Sequence, residues 1–109
     1  MANSKEDMAV LAADIKSGAI ADVDAVYGFD LTGEGGGKFT LDVRMNSQGR
    51  LREGLPSDHE LEASCTILCS AEHFHSIVEG TMKAETALMF GRLKVIGSSH
   101  AALKLAKLF

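Results

Sequence analysis

The chain has 109 residues, of which 46% are hydrophobic and 24% charged, so it can bury a core and predicts one domain over residues 1–109. Its net charge of -4 divides into -8 over residues 1–79 and +4 over residues 80–109, where five lysines and arginines face one glutamate. The acidic total excludes free nucleic acid as a partner, and the basic, apolar final third indicates an anionic, partly apolar partner.

The first residues and the cysteine content indicate the compartment. Residues 1–10 are charged and lack the apolar core of a signal peptide. No apolar stretch approaches the ~18 residues that a membrane span requires. Two cysteines without a dense framework are typical of a reducing environment. These features predict a cytoplasmic protein.

An amphipathic helix is predicted over residues 5–17. Ser4, followed by Asp7 three residues later, resembles a capping box that would start this helix. Apolar residues then recur at the spacing of one helix face. Gly18 provides the stop, because glycine commonly ends a helix.

A three-stranded antiparallel meander is predicted next. Residues 23–31 alternate between apolar and polar side chains, with Val26 as the exception, and residues 38–45 alternate without a fault. A turn leads into a third strand over residues 50–55. We expect the apolar side of the meander to face the core and its polar side, which includes Thr40 and Asp42, to meet water.

The second half predicts a strand, two short helices, a strand and a final helix. A polar connection, residues 55–63, leads into the strand at residues 64–70. Ser70 resembles a helix N-cap, and Ser98 or Ser99 resembles another. The remaining elements are predicted at residues 71–80, 83–90, 92–96 and 99–109.

Three groups of residues invite a catalytic or ligand-binding interpretation, and none predicts a catalytic residue or a metal site. Cys65 and Cys69 lie on one strand, about 13 Å apart at ~3.3 Å per residue, so they cannot form a disulfide or share a metal. We expect both to be small buried apolar side chains. His73 and His75 point in different directions on a helix and are expected to face solvent. The glycine run at residues 33–38 lacks the following helix of a phosphate-binding loop and predicts a hairpin turn.

Several motifs occur in a fixed order over about three-quarters of the chain. They are Phe39 to Arg44, Cys65–Thr66–Ile67, Gly80–Thr81–Met82, and the run from Gly91 to Gly97 before an Ala/Leu-rich helix. Together they resemble the sterol carrier protein type 2 family. The resemblance implies an α+β fold, in which a five-stranded, mostly antiparallel sheet has helices packed on one face. It also implies an apolar tunnel between them for a fatty acid, acyl-CoA, sterol or phospholipid.

The resemblance further implies which residues form the tunnel and what they contact. The lipid-binding wall is expected to consist of apolar residues of the C-terminal half: Phe74, Ile77, Val78, Met82, Leu88, Met89, Phe90, Leu103, Leu105, Leu108 and Phe109. Lys104 and Lys107 are expected to contact a lipid headgroup or an anionic membrane surface. No cofactor is implied, and the expected state is a monomer or weak dimer.

These expectations favour a non-enzymatic lipid carrier whose apolar C-terminal helix acts as a lid. One alternative is an accessory module of a lipid or quinone pathway that docks a partner through the same helix. Another is a cysteine-dependent enzyme, which would need a low thiol pKa at Cys65 or Cys69. A peroxisomal address is not expected, because Phe109 follows Ala106–Lys107–Leu108.

Overall fold

The computed structural model describes residues 3–16, 24–44 and 50–106 of the chain. The elements in chain order are α1 (Ser4–Lys16), β1 (Val26–Thr32), β2 (Gly37–Asp42), β3 (Arg50–Glu53), a 3-10 turn (Pro56–His59), β4 (Cys65–Ser70), α2 (Ala71–Glu79), α3 (Ala84–Met89), β5 (Leu93–Gly97) and α4 (Ser99–Ala106). The predicted order of helices and strands is confirmed. The predicted stop at Gly18 and the predicted strand start at Val23 lie outside the described residues.

The five strands form one open mixed sheet in the order β3-β2-β1-β4-β5. β1, β2 and β3 pair antiparallel as the predicted meander, and β5 pairs antiparallel with β4. The central pair, β1 and β4, is parallel and sets Phe29 beside Ile67. The sheet is therefore mostly antiparallel, as the α+β prediction requires.

The hydrophobic core lies on the face of the sheet that the four helices cover. Alternate residues of β1, β2 and β4 point into it, because successive side chains of a strand face opposite sides. The helices contribute Met8 and Leu11 from α1, Phe74 from α2, and Ala101 and Leu105 from α4. All five side chains are at most 9% exposed.

The opposite face of the sheet is not free to meet water, and that prediction is wrong at its centre. Thr40 and Asp42 are 0% and 1% exposed. The Thr40 hydroxyl donates to the carbonyl of Gly54, just after β3, at 2.7 Å, and Arg44 donates to Asp42 at 2.8 and 2.6 Å. The 3-10 turn also crosses this face, where a Cβ on Gly28 would come within 3.0 Å of Pro56. The alternation of apolar and polar residues along a strand shows which face of the strand is polar. It does not show whether a loop from elsewhere in the chain covers that face.

The helix α1 starts differently from the predicted capping box. Ser4 is already the first helical residue, and the side chain of Asn3 accepts a hydrogen bond from the Glu6 N–H at 3.3 Å. Asn3 therefore caps the helix, which is a role that asparagine performs as well as serine. Asp7, predicted as part of the box, contacts α2 instead.

A histidine joins α1 to α2, so the expectation that His75 faces solvent is wrong. Its Nδ1 lies 3.0 and 3.1 Å from the two carboxylate oxygens of Asp7, and its Nε2 lies 3.1 Å from Glu79. Asp7 is only 6% exposed, because α1 packs directly on α2 at this point. The cap predicted for α2 is confirmed, since Ser70 Oγ accepts from the His73 N–H at 3.1 Å.

Candidate functional site

A cavity of about 350 Å³ lies between the sheet and the helices α2, α3 and α4. This volume falls in the lower part of the range of small-molecule sites. Of the thirteen lining residues found among those described, eleven are apolar and two, Glu85 and Ser99, are polar. The complete set is Phe29, Ile67, Phe74, Ile77, Ala84, Glu85, Leu88, Leu93, Val95, Ser99, Ala102, Leu103 and Leu105.

The floor of the cavity comes from the sheet and from one aromatic pair. Phe29 on β1 and Ile67 on β4 are register partners, so both side chains point to the helical side at the same level. Phe74 on α2 packs against Phe29, with ring centroids 5.8 Å apart and ring planes tilted by 58°. This tilted geometry is favourable for aromatic pairs. Ile77, one helical turn after Phe74, extends the apolar wall.

The roof of the cavity is α4, and the sheet holds this helix by a buried hydrogen bond. The Tyr27 hydroxyl donates to the Ala101 carbonyl at 2.7 Å. Burial, and secondarily the nearby Cys65, raises the pKa of Tyr27, so its hydroxyl remains a proton donor. Ser98 caps the helix through a 3.1 Å bond from the Ala101 N–H to its Oγ. These contacts fix the start of α4 and orient the residues after it over the cavity.

The cavity opens to solvent between α3 and α4. Leu88 and Leu103 both line it, yet they are 47% and 57% exposed. Glu85, one helical turn before Leu88, is the charged residue of the lining within the described part of the chain. The interior is therefore apolar, while its mouth has an apolar rim and one carboxylate.

The structure places five of the predicted wall residues on this cavity: Phe74, Ile77, Leu88, Leu103 and Leu105. Four others do not line it. Val78 packs against the core, Met82 is half-buried, and Met89 and Phe90 are 81% and 69% exposed. Leu108, Phe109 and Lys107 lie outside the described residues, and Lys104 is half-buried. For all the residues named in this paragraph, a contribution to lipid binding stays a prediction.

Several lining residues were not predicted from the sequence. They are the sheet residues Phe29, Ile67, Leu93 and Val95 and the helix residues Ala84, Glu85, Ser99 and Ala102. The sheet residues do carry a signal, because each lies at an inward position of an alternating strand. That signal distinguishes the core side from the solvent side, but it does not distinguish a packed core position from a cavity wall.

The two cysteines are free and buried in the core, beside the cavity rather than on its wall. Burial raises the pKa of both thiols to about 11, and a backbone hydrogen bond at Ser70 offsets only part of this effect for Cys69. A nucleophilic cysteine needs a lowered pKa, so both groups lack the property on which thiol catalysis depends. Among residues 3–16, 24–44 and 50–106, no group of three or more His, Cys, Asp or Glu side chains is arranged so that it could hold a metal ion. In the same part of the chain, no helix has the length and hydropathy to cross a membrane.

The solved structures similar to this fold include sterol carrier proteins. The sterol carrier protein domain 2 of Helicoverpa armigera has a TM-score of 0.77 and 20% identity, covering 94% of this chain and 82% of that chain. The sterol carrier protein-2 of Aedes aegypti, solved in complex with the C16 fatty acid palmitate, has a TM-score of 0.66 and 20% identity, covering 94% and 93%. At this identity the likeness establishes the fold.

Sequence comparison establishes the family. The hydroxysteroid dehydrogenase-like protein 2 of Bos taurus is 38% identical over 84 residues, which are 77% of this chain and 19% of that protein. The chain thus spans about a fifth of the length of this relative. The model of the SCP-2 sterol transfer family matches residues 8–109. The chain belongs to the SCP-2 sterol transfer family.

Proposed function

We propose that the chain binds the apolar body of a lipid in the cavity and transfers it without chemical change. The observation that carries this proposal is the apolar wall, because eleven of the thirteen described lining residues have no polar side chain. An acyl chain that enters the cavity would lose contact with water, and burying each methylene would favour binding by about 0.8 kcal/mol. The ligand class is a fatty acid, fatty acyl-CoA, sterol or phospholipid.

Family membership and a neighbour's ligand support the same class of ligand. The Aedes aegypti neighbour was solved with palmitate, a single unbranched acyl chain. A wall made of leucine, isoleucine and phenylalanine recognises apolar area more than shape, and one methylene changes binding by only ~1–3 kcal/mol. We therefore propose broad selectivity among acyl chains.

Native mass spectrometry of gently purified protein tests this function. We expect either a co-purifying lipid of several hundred daltons that denaturation releases, or, for apo protein, a one-to-one complex after addition of a fatty acid, an acyl-CoA or a sterol. An apo mass that none of the three ligands shifts, from protein whose circular dichroism shows a folded chain, contradicts the proposal.

A second candidate is an accessory module that presents a lipid to an enzyme. Two observations favour it: the chain matches only 19% of its bovine relative, and Leu103 on α4 is 57% exposed. In this case α4 would dock a partner protein of a lipid or quinone pathway. A stable complex that forms through α4 and survives when the cavity is blocked would favour this module over a free carrier.

Glu85 is expected to disfavour ligands that place a carboxylate at the cavity mouth. Two like charges about 4 Å apart in water repel by about 1 kcal/mol, which is about fivefold in affinity. We expect Glu85→Gln to bind a fatty acid about fivefold more tightly and the fatty alcohol of equal length unchanged. Isothermal titration calorimetry at low ionic strength measures both ligands.

The matched control for this prediction is Glu62→Gln, which removes the same charge from an exposed residue off the cavity wall. It is expected to change neither affinity. If Glu85→Gln raises the affinity for the fatty alcohol as much as that for the fatty acid, the effect is not electrostatic. The assignment of Glu85 to the ligand's polar end is then wrong.

A further inference from the structure

A second feature of the helical layer is a run of exposed apolar side chains where α3 ends. Leu88, Met89 and Phe90 are consecutive and are 47%, 81% and 69% exposed. Single exposed apolar residues are common, but a contiguous patch rimmed by polar residues indicates an interaction surface. We name residues 88–92 the α3 tip.

The backbone holds the α3 tip with its apolar side chains turned outward. α3 has only six residues, and its inward face is taken by Ala87, which is 0% exposed. The Phe90 N–H donates to the Thr86 carbonyl at 3.1 Å, and the Arg92 N–H donates to the Ala87 carbonyl at 2.8 Å. Gly91 reverses the chain between them with a φ of 71°. Met89 and Phe90 are thus presented on a fixed turn.

Cations flank these apolar residues on both sides. Lys83 precedes α3 and Arg92 follows it, and both are exposed. Among the described residues neither side chain takes part in a salt bridge. The charge of residues 80–109 is +4, whereas that of residues 1–79 is -8. Between these two cations lies one exposed carboxylate, Glu85, so residues 83–92 keep a net charge of +1 that a negatively charged surface would attract.

The α3 tip is continuous with the cavity mouth. Leu88 belongs to both, because it lines the cavity and is half exposed. A partner that covers Met89 and Phe90 would therefore also adjoin the opening between α3 and α4. Adaptable methionine and phenylalanine side chains with basic neighbours suit an interface of acyl chains below anionic headgroups.

We propose that the α3 tip is a membrane-docking surface, at which Met89 and Phe90 enter the interface of an anionic bilayer and Lys83 and Arg92 contact its headgroups. This role goes beyond the cavity. It does not require that the cavity hold a lipid, because Met89 and Phe90 do not line the cavity and docking is tested without an added ligand.

Co-sedimentation of the full chain with phosphatidylcholine vesicles, prepared with and without phosphatidylserine, tests the proposal. We expect binding to the phosphatidylserine vesicles that falls at high salt. The double variant Met89→Ser with Phe90→Ser is expected to bind about tenfold more weakly, because two apolar side chains no longer enter the interface. Lys83→Gln and Arg92→Gln are each expected to weaken binding about fivefold.

Val10→Ser is the matched control, since Val10 is likewise an exposed apolar residue, at 50%, but belongs to α1. It is expected to bind like the unchanged chain. Equal binding of neutral and anionic vesicles overturns the proposal, as does full binding by the double variant. Light scattering provides a further test, because it measures self-association. If the unchanged chain self-associates and, among the variants, only the double variant does not, the occupant of the α3 tip is a second copy of the chain. That result would also overturn the membrane-docking proposal.

Discussion

Replacing Ala102 with phenylalanine is expected to weaken lipid binding about 100-fold while leaving the chain folded. Ala102 lines the cavity from α4 and is half-buried, so a larger side chain has the cavity itself as the available space. A ring in that space would exclude roughly three to four methylenes of ligand, each contributing about 0.8 kcal/mol. Filling a void adds contacts, and we expect the free energy of unfolding to stay equal or rise by about 0.5–2 kcal/mol.

The measurement combines displacement of a fluorescent acyl probe with chemical denaturation of the same preparation. Ala9→Phe is the matched control, because Ala9 is exposed on α1 and does not line the cavity. It should bind the probe normally. If Ala102→Phe unfolds, the smaller Ala102→Leu replaces it, with a weaker loss of affinity expected. A folded Ala102 variant with undiminished affinity would show that the lipid lies elsewhere.

The sequence pattern was sufficient for the elements and insufficient for the cavity. Alternation placed Phe29 and Ile67 on inward sides of their strands, because period-two polarity reports which face is buried. Only the parallel register between β1 and β4 brings the two residues together beneath one void. Such pairing joins residues distant in sequence, and no local pattern encodes it. The same limit explains why Thr40 was expected at a solvent face that a later loop covers.

Helical spacing predicts the direction of side chains only as far as the helix continues, and α3 ends within the α3 tip. A 3.6-residue period would place Met89 and Phe90 on a continuing helix face, where the wall of the cavity was expected. The helix instead ends at Met89, and Gly91 turns the chain. Met89, the last helical residue, and Phe90, before the turn, both face outward, whereas Leu93 after the turn lines the cavity. Ser98 shows the opposite case, because its Oγ accepts from the Ala101 N–H only three residues later, and a cap at Ser98 or Ser99 was predicted from the sequence.

The last prediction separates the two roles of α4, stability and binding, with a pair of leucines on one helix. Leu105 is 2% exposed and Leu103 is 57% exposed, yet both line the cavity. We expect Leu105→Ala to lower the free energy of unfolding by about 2–5 kcal/mol, since it removes buried area and leaves a void. Leu103→Ala is expected to change it by only about 0.5 kcal/mol, as for most exposed positions. Its affinity for an acyl chain should still fall, because the rim loses apolar area.

Urea denaturation and acyl-probe titration of both variants check this pair. Removing residues 103–109 altogether is a poorer test of a lid, because Leu105 belongs to the core and its loss would unfold part of the molecule along with the roof. The point variants avoid that confusion. If Leu103→Ala is as unstable as Leu105→Ala, α4 is packed more deeply than its exposure indicates. If Leu103→Ala keeps both its stability and its full affinity, this leucine is not part of the lipid's path, and the contribution of α4 to binding is limited to its more deeply placed residues, such as Ala102 and Leu105.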